Sequence, residues 1–164
     1  MTRLSDKQTT DYFHRCFTAV DGLWFLKLEE KFGFDTALQI DNEVWKVFPK
    51  IQAREMKSML KLENGFDALQ TCFTTAFELK GFIFNVNNIK QGIGFDVIIT
   101  RCPWHDTMVK SQREHLSVKV GKTICQTEYS AWAKEFGDNI EFNFDPQQRI
   151  CAGGQACVLH FFSK

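Results

Sequence analysis

The sequence predicts an α+β domain: a helical N-terminal half packed on a four-stranded antiparallel sheet made of two hairpins with two intervening helices. Three observations carry that expectation. Apolar residues recur at helical spacing as far as Lys80, the period becomes strand-like after Gly81, and Gly or Pro marks the turns that a hairpin, two helices and a second hairpin require. A chain of 164 residues can fill one full hydrophobic core and not comfortably two, so 1–164 reads as a single domain with a helical part over 1–80 and a hairpin-helix-helix-hairpin part over 81–164.

The first helix starts at Ser5-Asp6-Lys7-Gln8, a capping box in which each end side chain satisfies a free backbone N–H of the other. Tyr12, Phe13, Cys16, Phe17, Val20, Leu23 and Trp24 follow at helical spacing as its expected buried stripe, Lys27 interrupts it, and Gly33 ends the helix beyond Lys31. Asp35 is the expected cap of a second helix carrying Ala37, Leu38, Ile40, Val44, Trp45, Val47, Phe48 and Ile51. Pro49, which lacks an N–H and crowds the preceding turn, should kink or split that helix ahead of a segment ending near Leu62. A third helix follows Asn64-Gly65, with Phe66, Leu69, Cys72, Phe73, Ala76 and Phe77 on one side. Cys16 and Cys72 lie within these stripes and read as small core residues.

After Gly81, Phe82 to Val86 and Phe95 to Thr100 read as strands joined through Asn87, Asn88, Gly92 and Gly94. Trp104 to about Leu116 reads as a helix, and Thr127 to about Phe136 as another closed by Gly137. Ile140 to Phe144 alternates as a strand, Asp145-Pro146 breaks it, and Arg149 to Cys151 leads through Gly153-Gly154 into Cys157 to Phe162.

Lys plus Arg and Asp plus Glu both number 20, so no net field favours phosphate backbones or anionic lipid, and neither nucleic acid nor a membrane is an expected partner. The apolar runs fall far short of the roughly 18 to 20 residues of a membrane span. The N-terminal residues Met1 to Lys7 lack a secretory h-region, so a cytoplasmic location is expected. In that compartment six cysteines are better read as buried thiols, metal ligands or reactive thiols than as a disulfide framework. Phe, at 17 residues against two Tyr, predicts a core built on phenylalanine, with a Phe-lined ligand pocket as the sharper alternative. The aromatic-rich helical half also offers a surface for a homodimer.

Candidate chemistry gathers in the second half. In Arg101-Cys102-Pro103-Trp104-His105, Pro103 suits a first helical position and places Cys102 at the N-cap, where free N–H groups and the helix dipole favour a thiolate. His105 falls on the same side of the first turn, making either a Cys-x-x-His half-site for a soft metal or a nucleophile with its base. Cys125 reads as a second cysteine at a helix entrance, just ahead of Thr127 and Glu128. Cys151 and Cys157 flank Gly153-Gly154: a two-residue turn points their thiols to opposite faces, and a three-residue loop with a bulge sets them opposite each other. Cys102, His105, Cys125, Cys151 and Cys157 are thus a pool for zinc or an iron-sulfur cluster, against the plainer reading of buried thiols. His14 and His115 read as structural or surface residues, and His160 shares the last strand with Cys157. Phosphate loops, dinucleotide fingerprints, zinc-protease helices and serine-hydrolase elbows have no counterpart here.

Arg101-Cys102-Pro103 and a polar helix, then Cys125, Tyr129-Ser130-Ala131-Trp132, Ile140-Glu141-Phe142, Cys151 and the closing Cys157-Val158-Leu159-His160-Phe161-Phe162 resemble the L-2-amino-thiazoline-4-carboxylic acid hydrolase-like family. Asp21-Gly22-Leu23-Trp24-Phe25 and Glu43-Val44-Trp45 resemble its uncharacterised cytosolic members. The resemblance implies a hydrolase opening a cyclic thiazoline to a carbamoyl-cysteine. More distantly the chain is similar to four-vinyl-reductase-type domains, in which hairpins and helices surround an apolar ligand pocket and late cysteines suggest metal. Where the family usually has Gly-Asp before the last Cys, this chain has Gly153-Gly154-Gln155-Ala156, so no acidic group is implied there.

Three functional readings follow, in order. The first is a small-molecule- or metal-binding module using the C-terminal cysteines. The second is a thiol- or metal-dependent hydrolase of a cyclic amidine, with Cys102 as nucleophile or ligand, His105 as base, Cys125 as a further ligand, Arg101 anchoring a substrate carboxylate and Trp104 and Glu128 lining the site. The third is a protein-interaction domain whose cysteines only pack.

Overall fold

The computed structural model describes residues 3–90, 93–144 and 148–164. The chain divides into two compact units, Met1–Glu43 and Val44–Lys164.

In the first unit, helix α1 spans Asp6–Phe32, 27 residues, and begins as its sequence predicts. The Gln8 N–H donates to Ser5 Oγ at 3.2 Å while the Ser5 N–H donates to Gln8 Oε1 at 2.9 Å. Gly33, at φ +83°, stops the helix in a conformation that costs other residues strain. The apolar stripe is not buried: α1 contains no buried residue, Phe13 is 65% and Trp24 67% exposed, and Cys16 is exposed rather than core. Periodicity identifies an apolar face and is silent about what covers it. Helix α2, Phe34–Trp45, begins in this unit and ends just inside the next; it starts one residue before Asp35, which therefore sits in the first turn, where its charge suits the helix dipole, instead of capping it.

The second unit holds the remaining elements. Pro49 splits the helical run as expected, in the first turn of α3 (Phe48–Leu60), where a missing N–H is harmless. Helix α4, Phe66–Leu79, buries Leu69, Cys72, Phe73, Ala76 and Phe77 of the stripe its spacing predicts and leaves Phe66 half-buried against the core. Strands β1 (Ile83–Lys90) and β2 (Gly94–Arg101) form the first hairpin. Then come α5 (Pro103–Lys110), a single 3-10 turn at Glu114–Leu116, α6 (Ser117–Phe136), β3 (Ile140–Phe144), a second 3-10 turn at Ile150–Ala152, and β4 (Cys157–Ser163). The sheet order is β1-β2-β4-β3 with every neighbouring pair antiparallel, so the fold is α+β and the last strand lies in its interior. Gly94 lets β2 approach β4, because a Cβ there would meet the Phe161 carbonyl oxygen.

Strand β1 runs on to Lys90, so Asn87 and Asn88, expected in the connection, pair with Asp96 and Phe95 instead, while the expected turn residues Gly92, Asp145 and Pro146 lie outside the described residues. Two helix boundaries also differ from expectation. Helix α5 ends at Lys110, with Gln112 at φ +58°, rather than running to Leu116. Helix α6 starts at Ser117, ten residues ahead of Thr127. Val118, Val120 and Gly121 are poor helix formers, and burial of Ile124, Tyr129, Trp132, Ala133 and Phe136 outweighs that local preference.

The core is aromatic, as the composition predicts. Phe73 meets Trp132 edge-on at 5.6 Å and Phe161 at 4.9 Å, while Phe95 stacks on Phe161 at 4.9 Å. Each such ring, fully buried, contributes roughly 2–3 kcal/mol of transfer free energy. Among the described residues, no helix is long and apolar enough to cross a membrane.

Candidate functional site

Strand alternation turns Leu159 and Phe161 into the core, and Cys157, on the same side of β4, faces it from the strand's first position. Cys157 pairs in register with Ile99 of β2, and three residues beyond Ile99 the chain reaches Cys102 at the N-cap of α5. Helix α6 carries Cys125 in its middle. Cys125 is therefore not at a helix entrance, and the dipole argument made for it does not apply. Neither hairpin register expected for Cys151 and Cys157 is formed, because residues 150–152 wind into a 3-10 turn and β4 pairs with β3 instead. That turn still joins the two cysteines: the Ile150 N–H donates to Cys157 Sγ at 3.2 Å.

Cys102, Cys125, Cys151 and Cys157 share one neighbourhood. Cys102 is repelled as an anion by Cys157 and Cys151, Cys125 by Cys102 and Cys157, and Cys157 by Cys151. Gly121, one turn before Cys125 on α6, gives the tightest measure. A Cβ placed on it would lie 3.3 Å from Cys151 Sγ, 3.3 Å from an Arg149 guanidinium nitrogen and 3.9 Å from Cys125 Sγ, so two thiols and a cation converge on a bare Cα.

Burial governs the electrostatics. It pushes the Cys102 thiol up to about 11, outweighing the backbone N–H groups of His105 and Trp104 that favour the thiolate. The expectation of an activated Cys102 is thereby corrected: desolvation at this helix start exceeds the pull of the N–H groups. Burial also raises Cys125 well above the ordinary thiol value, with Cys102 and Glu128 adding to it and Arg149 opposing, and it raises Cys157, where the Ile150 N–H opposes. Tyr129 is raised well above its ordinary value by burial first and then by Cys125.

Arg149 brings a cation to this neighbourhood. Its guanidinium lies over the Phe144 ring at 4.5 Å, and its buried Nε has no hydrogen-bond partner among the described residues.

The other predicted site residues are engaged elsewhere. His105 Nδ1 lies 3.2 Å from Ser117 Oγ, so its ring turns to the start of α6. Arg101 Nε donates to Asp106 Oδ2 at 2.8 Å on the surface. Trp104 packs on the core and meets Trp45 edge-on at 6.4 Å. Glu128 is buried and accepts from Lys80 Nζ at 2.8 Å. His160, although on β4, points to the opposite face from Cys157 and pairs with Asp96 at 2.7 Å.

Four soft sulfur donors from four separate stretches beside one guanidinium suit a thiophilic ligand. They do not stand as a finished coordination shell: among the described residues, no group of three or more His, Cys, Asp or Glu side chains is placed to hold a metal ion. Gly121 and Arg149 were not singled out by the sequence. The sequence reading places Gly121 in the connection between two helices, so its position inside α6, and the close approach it permits, carry no local signal.

No curated protein matches the chain significantly. The family model that matches covers residues 5–148, a stretch that includes Cys102 and Cys125 and stops short of Cys151 and Cys157. With most of its length so matched, the chain belongs to a family of unknown function, DUF6125.

Proposed function

We propose that this chain is a cytosolic binding protein whose clustered thiols, Cys102, Cys125, Cys151 and Cys157, take up a thiophilic metal, as zinc or as iron in a cluster. The observation that supports this most is the convergence of sulfurs on Gly121 from α6 and from the 3-10 turn before β4. Residues far apart in sequence are gathered where a side chain at position 121 would occupy the space. Thiolate ligands to a divalent ion leave net negative charge, and the Arg149 guanidinium offsets part of it. Closing the thiols onto an ion requires rotation about their side-chain bonds, and each thiol must lose its proton, so uptake is coupled to pH.

The test is metal analysis of anaerobically purified protein, followed by titration of the metal-free chain with zinc while proton release and thiol accessibility are followed. About one equivalent should bind, two or more protons should be released per ion, and the Cys125→Ser and Cys157→Ser variants should lose binding while Cys16→Ser and Cys72→Ser retain it. No stoichiometric uptake of zinc or iron, with the four thiols equally reactive before and after titration, would overturn the reading.

Hydrolysis with Cys102 as nucleophile draws less support. With the thiol at about 11, roughly one molecule in ten thousand would carry the thiolate at neutral pH, and the ring of His105 is turned to Ser117.

A further inference from the structure

We infer that α1 pairs with α1 of a second copy of this chain, antiparallel, through its exposed apolar stripe. In α1, Asp6, Thr10, Phe13, Phe17, Val20, Trp24, Lys27 and Lys31 recur at alternating spacings of four and three residues, the seam of a two-helix coiled coil. The apolar part of that seam is exposed, Phe13 at 65%, Phe17 at 37%, Val20 at 55% and Trp24 at 67%, and Leu23, at 55%, flanks it. These side chains expose on the order of 550 Å² of surface per copy, and the stems of Lys27 and Lys31 extend the face toward the ~800 Å² per partner that a standard interface buries.

Charge selects the occupant and its direction. About a two-fold axis between Thr18 and Ala19, antiparallel pairing sets Phe17 opposite Val20, Phe13 opposite Trp24, Thr10 opposite Lys27 and Asp6 opposite Lys31. The apolar layers meet in the middle, and each end is closed by Asp6 of one copy on Lys31 of the other, with Lys27 facing the uncharged Thr10. Parallel pairing would set Asp6 on Asp6, Lys27 on Lys27 and Lys31 on Lys31, three like-charge layers. A bilayer fits less well, because α1 carries Lys7, Arg15, Lys27 and Lys31 against Asp6, Asp11, Asp21, Glu29 and Glu30, without the basic excess of a helix that lies on anionic lipid.

Sedimentation equilibrium of the full chain should give twice the 19.0 kDa monomer mass at micromolar concentration. Val20→Asp should weaken association by at least about a hundredfold while the helical circular dichroism of the second unit persists. Asp6→Lys and Lys31→Asp should each weaken it by about tenfold, and the double variant should restore it, a rescue that parallel pairing does not predict. A monomeric wild-type chain at 100 μM, a dimer indifferent to Val20→Asp, or charge swaps that fail to rescue each other would overturn the inference. So would a monomer that co-sediments through the stripe with phosphatidylcholine–phosphatidylserine vesicles.

Discussion

Lys80, which caps the end of α4, donates to Glu128 in the middle of α6 at 2.8 Å, and their side chains are only 13% and 6% exposed. A buried pair of this kind repays its desolvation only while both partners are present. Glu128→Ala should therefore destabilise the second unit by about 3–5 kcal/mol, whereas Lys80→Met with Glu128→Leu should cost much less, and urea denaturation of the three chains measures the contrast.

Alkaline stability should report on the buried thiols. The folded chain keeps Cys102 protonated to about 11, while an unfolded chain releases the proton near 9. Below 9 both states hold it and its contribution is constant. Between 9 and 11 only the unfolded state loses it, so stability falls, by roughly 3 kcal/mol for this group alone. Urea midpoints measured from pH 8 to 11 should decline less steeply in Cys102→Ala than in the wild type.

Thiol reactivity at neutral pH should divide the cysteines sharply. Cys16 is exposed on α1 and should be alkylated first, in a phase that Cys16→Ser removes. Cys72, Cys102, Cys125 and Cys157, with thiols raised by burial, should follow at least about tenfold more slowly. Mass spectrometry of a timed iodoacetamide reaction reads the order directly.

Gly121→Ala sets two effects against each other. Alanine favours the helix by up to about 1 kcal/mol, but its methyl would press on Cys151 Sγ and on Arg149, each of which must yield by a few tenths of an ångström. The variant should unfold within about 1 kcal/mol of wild type and bind zinc at least about tenfold more weakly, so that calorimetric zinc titration separates it from wild type while thermal unfolding does not.

The capping box at Ser5, the split at Pro49 and the buried stripe of α4 were legible because each is decided within a few residues of chain. Cys16 and Cys72 show where such reasoning stops: both lie in apolar stripes, and only Cys72 is buried. A stripe gives the direction a side chain points, and burial depends on a partner that the local sequence does not name. The start of α6 is not legible for a related reason, since Gly121 in its first half packs against Arg149 and Cys151, about thirty residues further along the chain. The candidate site was legible as a set of residue types. Its convergence on Gly121, and the burial that keeps its thiols protonated, arise from tertiary packing alone.

The interior place of β4 sets an order on assembly. Until Cys157–Ser163 is available, β2 and β3 have no strand between them, and β2 presents a bare hydrogen-bonding edge beside a half-built aromatic layer. On a ribosome, the hairpin of β1 and β2 emerges more than fifty residues ahead of the strand it waits for. Closure by so distant a segment is slow, and during that delay the open edge is the part of the nascent chain most in need of a chaperone's cover.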